Sequence, residues 1–310
     1  MSRKNHKTSI GGQAILEGIV MKGPRKICTV VRKSDGELEI QEKPQKPLGE
    51  RNIFFRIPII RGTVNLVATL IEGMQAINYS AQFIDDFEEE PSKFEIWLEK
   101  HIGSEKMEKL IFGAALVLGM IIPILLFMLM PTVVAGLLSD MLPRVALNLI
   151  EGAIRIAAFL VFMYAVSKMK DIKRTVRYHG AEHKTIFCYE AGLPLTVENV
   201  RPQKRQHPRC GTSFLFVVMI ISILVFSLVT WSGPLERMLL RIALLPVVIG
   251  ISYEINRYVG RYDNVLTRIL TAPGLALQNI TVLEPDDAMI EVAIAAMERV
   301  IPENQEEDAW

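Results

Sequence analysis

Residues 111–139 read IFGAALVLGMIIPILLFMLMPTVVAGLLS, and residues 211–235 read GTSFLFVVMIISILVFSLVTWSGPL. Neither run carries a charge. A membrane-crossing helix needs about 20 predominantly apolar residues, and both runs pass. Two further segments are apolar but interrupted. Residues Val145–Val166 carry Glu151 and Arg155, and residues Met238–Tyr253 carry Arg241. Glu151 and Arg155 are four apart, so they share a helix face and can pair. Arg241 lies close enough to a helix end to snorkel to the interface. The alternative is a pair of interfacial helices. The reading adopted is four spans, near Leu110–Leu137, Val145–Val166, Thr212–Val229 and Met238–Tyr253, with Trp231 as an interfacial anchor.

Composition agrees. Half of the 310 residues are apolar and 22% are charged. Mean hydropathy is +0.27. Thirty-five Lys and Arg against 34 Asp and Glu leave a net charge of +1. That balance excludes a strongly basic nucleic-acid binder and an acidic disordered chain. Cys28, Cys188 and Cys210 are too few and too scattered for a disulfide framework, so a reducing compartment is expected. Lys168–Cys210 contains ten Lys or Arg against four Asp or Glu. The positive-inside rule puts that segment on the cytoplasmic side, together with both termini.

The expected fold class is a mainly α-helical polytopic membrane protein with about four transmembrane helices. A small α+β cytoplasmic part is built from the N- and C-terminal regions. Residues 1–56 form a glycine-rich and β-hairpin region. Residues 57–109 are amphipathic helices, 110–168 a first pair of membrane helices, and 169–211 a basic cytoplasmic segment. Residues 212–256 are a second helix pair, and 257–310 a cytoplasmic C-terminal region.

Within these, Thr29–Ile40 reads as a hairpin around Asp35-Gly36. Gly11–Pro24 reads either as a loop pressed on the membrane domain, with Gln13 and Glu17 facing a site, or as a glycine-rich strand edge. Arg56–Phe83 predicts an amphipathic helix on or re-entering the membrane. The acidic run Asp85–Glu90 ends it, and a second helix follows over Ser92–Glu108. Pro273-Gly274 predicts a turn, Thr281–Leu283 a short strand, and Asp286–Val300 a helix. Glu303–Trp310 predicts a frayed end. Leu-Ile-Glu-Gly occurs at 70–73 and at 149–152. Two similar helices with a close-packing glycine explain it better than a true repeat.

One stretch carries chemistry: Arg177-Tyr178-His179-Gly180-Ala181-Glu182-His183-Lys184. It holds two of the chain's five histidines in a His-x-x-Glu-His pattern. On a helix, His179 and His183 point the same way and Glu182 lies beside them. Two neutral imidazoles with a neighbouring carboxylate are the arrangement of an inverted zinc-hydrolase helix, in which Glu182 is the catalytic base. The ion is zinc or another divalent transition metal. Four residues compete for the third ligand position: Glu190, His207, Cys210 and Glu254. Analogy with inverted sites favours Glu254, and ligand chemistry favours His207 or Cys210. The blander alternative is a structural polar network of Tyr178, Glu182 and Lys184.

Four stretches together resemble a known family: Gly11-Gly12-Gln13 through Met21, Tyr178 through Lys184, His207 through Phe214, and Ser252-Tyr253-Glu254. The chain resembles the bacterial membrane proteins of the domain of unknown function 1385 family from about residue 8 to residue 300. The resemblance implies a metal-dependent enzyme with signature residues at His179, Glu182, His183, His207, Cys210 and Glu254. It brings no substrate. Two functional classes follow. One is a cytoplasm-facing metal hydrolase of the bacterial cytoplasmic membrane. The other is a non-enzymatic membrane factor that binds a protein complex such as a translocation or insertion machine. The lipid bilayer is the expected partner in both, a homodimer or a membrane complex is compatible with either, and nucleic acid is not expected.

Overall fold

The computed structural model describes residues 6–84, 114, 117–119, 121–138, 141–229, 234–304 and 306–310. The expected helix over 92–108, the acidic run 85–90 and the Trp231 anchor lie outside the described residues. The chain divides into two compact units, Met1–Ile84 with Met163–Trp310, and Asp85–Phe162.

The first unit begins with a four-stranded antiparallel meander: β1 (Gly11–Ile15), β2 (Gly18–Lys22), β3 (Lys26–Arg32) and β4 (Leu38–Pro44), in that spatial order. The glycine-rich stretch is therefore the first hairpin, with β1 at the sheet edge. Gly12 stands opposite Met21, and Val30 opposite Ile40. The β3–β4 loop turns at Gly36, whose φ of 88° only glycine adopts without strain. The Asp35-Gly36 signal thus marks the turn, in a loop of Lys33 to Glu37.

The next elements are α1 (Ile60–Ser80), α2 (Val117–Gly136), α3 (Arg144–Ser167), α4 (Lys170–Glu190), α5 (Gly211–Ser227), α6 (Pro234–Arg261), α7 (Val265–Thr281) and α8 (Asp287–Val300). Asp286 caps α8 by accepting from the Met289 N–H at 3.0 Å. The main core lies between the sheet, α4 and α8. Ile19, Met21, Cys28 and Val30 pack there with Tyr178, Ala181, Ile290, Ala293 and Met297.

Among the described residues, three helices are long and apolar enough to cross a membrane: Val117–Gly136, Val145–Ser167 and Met238–Arg261. The expected span near residues 212–229 is the 17-residue α5. At 1.5 Å per residue it reaches about 25 Å, short of the roughly 30 Å hydrocarbon core. Of the four expected spans, three are thus long enough among the described residues, and the remaining one is the shorter α5. In the second unit, Arg155 pairs with Glu151 at 2.9 Å and donates to the Phe127 carbonyl at 2.8 Å. Thr132 donates to the same Glu151 oxygen at 3.1 Å. Charges four apart in an apolar helix are accommodated by pairing.

The C-terminal region is helical, which corrects the α+β expectation for it. The strand expected over Thr281–Leu283 is absent, because Thr281 ends α7 and Leu283 makes one backbone bond, to the Val176 carbonyl. Pro273-Gly274 is not a turn but sits inside α7. A Cβ on Gly274 would lie 2.6 Å from Ser213 Cβ, so this glycine is where α5 seats on α7. The last residues are tied down, since Thr8 donates to the buried Asp308 at 2.5 Å and Trp310 N–H to the Lys7 carbonyl at 2.9 Å.

Candidate metal centre

Helix α4 carries the chemistry and is pinned at both ends. Near its start, Arg174 forks onto Glu17, whose carboxylate also accepts from Tyr178 at 3.3 Å. Toward its end, Lys184 donates to the Arg201 carbonyl at 2.7 Å and pairs with Glu284. Tyr178, Glu182 and Lys184 each turn to a different partner, so they do not form the mutual network considered above.

The four-residue spacing sets the His179 and His183 rings 4.4 Å apart, centre to centre. His179 donates Nδ1–H to the Thr281 carbonyl at 3.1 Å, and His183 donates Nδ1–H to the Arg205 carbonyl at 2.5 Å. A carbonyl only accepts, so each bond fixes the tautomer and leaves Nε2 bare. This is the outer-shell support found behind metal-ligating histidines. Cys210 Sγ lies 3.2 Å from His179 Nε2. One donor atom from each of His179, His183 and Cys210 falls within 4.8 Å of the others. Two imidazoles and a thiol suit zinc and its neighbours far better than magnesium or calcium. The three form a buried group able to hold a metal ion.

The other ligand candidates are placed elsewhere. Glu254 is gripped by Arg61, whose Nε lies 2.6 Å from Oε1. Glu190 accepts from the Thr8 N–H at 2.9 Å and pairs with Arg209. Burial pushes its carboxyl up, but His207 and the Arg209 guanidinium outweigh that and hold it well below the usual range. His207 lies between Phe187 and His183, 4.7 and 5.5 Å away by ring centres. Its Nδ1 accepts from the Arg209 N–H at 3.3 Å, and its Nε2 is 3.2 Å from the Arg209 guanidinium. Burial lowers its pKa to about 4, so the ring is neutral at pH 7. His207 therefore lines the group without sharing its donor geometry.

Glu182 is 4% exposed. Its Oε1 accepts from the Gly12 N–H at 3.0 Å, while Oε2 has no hydrogen-bond partner among the described residues. Burial raises its pKa, against the opposing pull of His179 and the Gly12 bond. Glu182 therefore places one unpartnered carboxylate oxygen in the interior of α4's packing face.

Sequence reasoning missed the residues that position this group. Gln278, fully buried on α7, accepts from the His207 N–H at 2.7 Å. It donates to the His207 carbonyl at 2.8 Å and to Ser213 Oγ at 2.9 Å. One amide thereby clamps both sides of Cys210. No sequence signal marks it, because a glutamine in an apolar helix looks the same whether or not a loop folds onto it.

The model of the family described as "Protein of unknown function (DUF1385)" matches residues 57–303. The chain is 33% identical over 307 residues to "Uncharacterized protein YqhQ" of Bacillus subtilis (strain 168), covering 97% of this chain and 95% of the relative. No solved structure matches. Neither description carries a metal or an activity, so the metal-enzyme label expected from the resemblance has no support in the comparisons. The apolar helices and the bacterial relative support a place in the bacterial cytoplasmic membrane. With a match over most of its length and a relative alike almost end to end, the chain belongs to the DUF1385 family.

Proposed function

We propose that this protein is a metal-dependent membrane enzyme of hydrolase type. His179, His183 and Cys210 would hold zinc or another divalent transition metal, and Glu182 would act as general base. The carrying observation is the pair of Nδ1–H···O=C bonds that bare both Nε2 atoms beside the Cys210 thiol. Three protein ligands are the number that catalytic zinc sites use, with a fourth position left open. When bound, such an ion polarises a carbonyl or phosphoryl oxygen and makes water easier to deprotonate. The chain's own part is positional. Gly12 holds Glu182 by one oxygen, and the other is free to take a proton. The raised pKa of Glu182 makes it a stronger base than an exposed carboxylate.

The cytoplasmic orientation of the site and of both termini belongs to this proposal. It rests on the basic segment 168–210 and on parity. The termini are hydrogen-bonded to each other, so they share one side of the membrane. An even number of crossings then requires a fourth beside the three long helices, and α5 supplies it.

A second reading is a non-enzymatic membrane factor with a closed structural metal site. The observation favouring it is burial, with His183 2% and Cys210 6% exposed. The deciding experiment measures metal content and the thiolate-to-cobalt charge-transfer band of the purified protein, with complementation of a deletion strain. His183→Ala and Cys210→Ser should lose the metal, and Cys210→Ser the band even where cobalt is retained. Glu182→Gln should keep metal and band but fail to complement. Full complementation by Glu182→Gln would end the hydrolase reading. A metal-free wild type purified without chelator would end both metal readings.

A further inference from the structure

A cavity of about 810 Å³ opens in the first unit between β1, β2, α1, the end of α6 and the C-terminus. It falls within the usual size of small-ligand sites. None of His179, His183 or Cys210 lines it. Six cations do: Lys22, Lys46, Arg56, Arg61, Arg257 and Arg261. Two of them are already committed, Lys22 to Glu72 at 2.6 Å and Arg61 to Glu254. Glu307, the other lining carboxylate, pairs with Arg25 at 3.3 Å. Among the described residues no carboxylate makes an ion pair with Lys46, Arg56, Arg257 or Arg261. A concave wall with four uncompensated cations attracts an anion.

Position and rim say which anion. Arg257 and Arg261 close the apolar span Met238–Arg261, with Tyr253 in the cavity wall and Tyr258 and Tyr262 beside them. Arginines and tyrosines at the end of an apolar span mark headgroup depth. The rim is apolar and unpartnered. Ile53 is 72% and Phe54 63% exposed, and the neighbouring Phe55 and Arg56 face the cavity. A basic floor beside an apolar rim suits a phosphorylated amphiphile.

We propose that this cavity binds the phosphorylated headgroup of a membrane lipid, with the acyl chains leaving over the exposed Ile53 and Phe54. An acidic peptide would match the charge but leave the apolar rim of Ile53 and Phe54 uncovered.

Trp310 lines the cavity and donates to the Arg257 carbonyl at 3.3 Å, so its fluorescence reports occupancy. The test uses the full chain in neutral detergent, with Trp97 and Trp231 replaced by Phe. The probes are dihexanoyl phosphatidic acid, glycerol 3-phosphate, dihexanoylglycerol and a glutamate-rich peptide. Saturable binding of the phosphatidic acid is expected, with glycerol 3-phosphate at least tenfold weaker and dihexanoylglycerol silent. Arg257→Ala with Arg261→Ala should weaken binding roughly 25-fold, at the usual worth of a basic residue near an anionic lipid. The milder Arg257→Lys, and the exposed Lys46→Ala, guard against a folding defect and should each weaken it by a smaller factor. EDTA should change nothing, which separates this site from the metal reading. Equal affinity for glycerol 3-phosphate, tighter binding of the peptide, or unchanged binding in all the variants would overturn the proposal.

Discussion

Gln278 makes three hydrogen bonds with one buried side chain, and all three serve the segment that delivers Cys210. Gln278→Ala leaves the buried His207 N–H unpaired, at about 1–3 kcal/mol, and leaves the His207 carbonyl with the Cys210 N–H as its remaining donor at 3.3 Å. A lower Tm should follow. The same change should weaken cobalt binding about 10- to 100-fold, the usual effect of losing outer-shell support. Titration of the thiolate–cobalt band checks it, and unchanged affinity would mean that Cys210 is held by other bonds. Cys28 is a different case. Burial pushes its thiol from 9.0 up to about 11. Because the folded pKa is raised, this group's stability contribution is whole below pH 9 and is lost as pH climbs toward 11. Up to about 2–3 kcal/mol is at stake. Denaturant melts between pH 8 and 11 should show that loss, and Cys28→Ala should flatten it. The thiol should also resist aromatic disulfide reagents at pH 8 until the protein is unfolded.

At the scale of elements, two of the glycines at close approaches bear on the sites. A Cβ on Gly62 of α1 would sit 2.6 Å from Tyr253 Cβ on α6. Gly62→Ala should therefore push α1 off α6, at about 1–3 kcal/mol. Because α1 and α6 wall the cavity, the variant should also lose the Trp310 response to short-chain phosphatidic acid. A lowered Tm with an intact response would show that the wall tolerates the shift. Gly12 is the counterpart in β1. A Cβ there would lie 2.6 Å from the Val20 carbonyl and 3.1 Å from Glu182 Cδ. Gly12→Ala should disturb Glu182 without touching a metal ligand, so it should impair complementation more than metal content. The glycine-rich stretch was legible as an oddity in the sequence. Its reason was not, because one of the crowding groups, besides the Val20 carbonyl and Met21 on the neighbouring strand, arrives from α4 about 170 residues later.

For the molecule as a whole, tied termini and the basic segment 168–210 support the proposed topology. An impermeant maleimide should label Leu137→Cys in intact cells and Glu303→Cys only after permeabilisation. Both sites are exposed. The reverse pattern would sink the cytoplasmic orientation, and reporters at the two termini appearing on opposite sides would sink the fourth crossing. The same tie makes the C-terminal residues structural. Removing Asp308–Trp310 should unseat His6 and Thr8 as well, because Asp308 accepts from both side chains. A truncated chain that melts at the wild-type temperature would show that these bonds contribute nothing.

Apolar runs, the Asp35-Gly36 turn, the α8 cap and the four-residue histidine spacing were all readable, because each depends on neighbours within one or two turns of chain. The sequence by itself determined that this is a mostly helical protein with apolar helices of membrane length, and that His179 and His183 share a face. It did not choose among the remaining candidate ligands. That choice depends on which distant segment folds onto α4 and which carboxylate a distant arginine has already taken. The tertiary structure brings Cys210 in through the Gln278 clamp, gives Glu254 to Arg61, and spends Glu190 on Arg209 and Thr8. Likewise Pro273-Gly274 reads locally as a break, yet packing of α5 on Gly274 keeps α7 continuous. Where the competing energies are local, residue order decides the outcome. Where a side chain must choose between partners tens to hundreds of residues away, only the packed fold decides it.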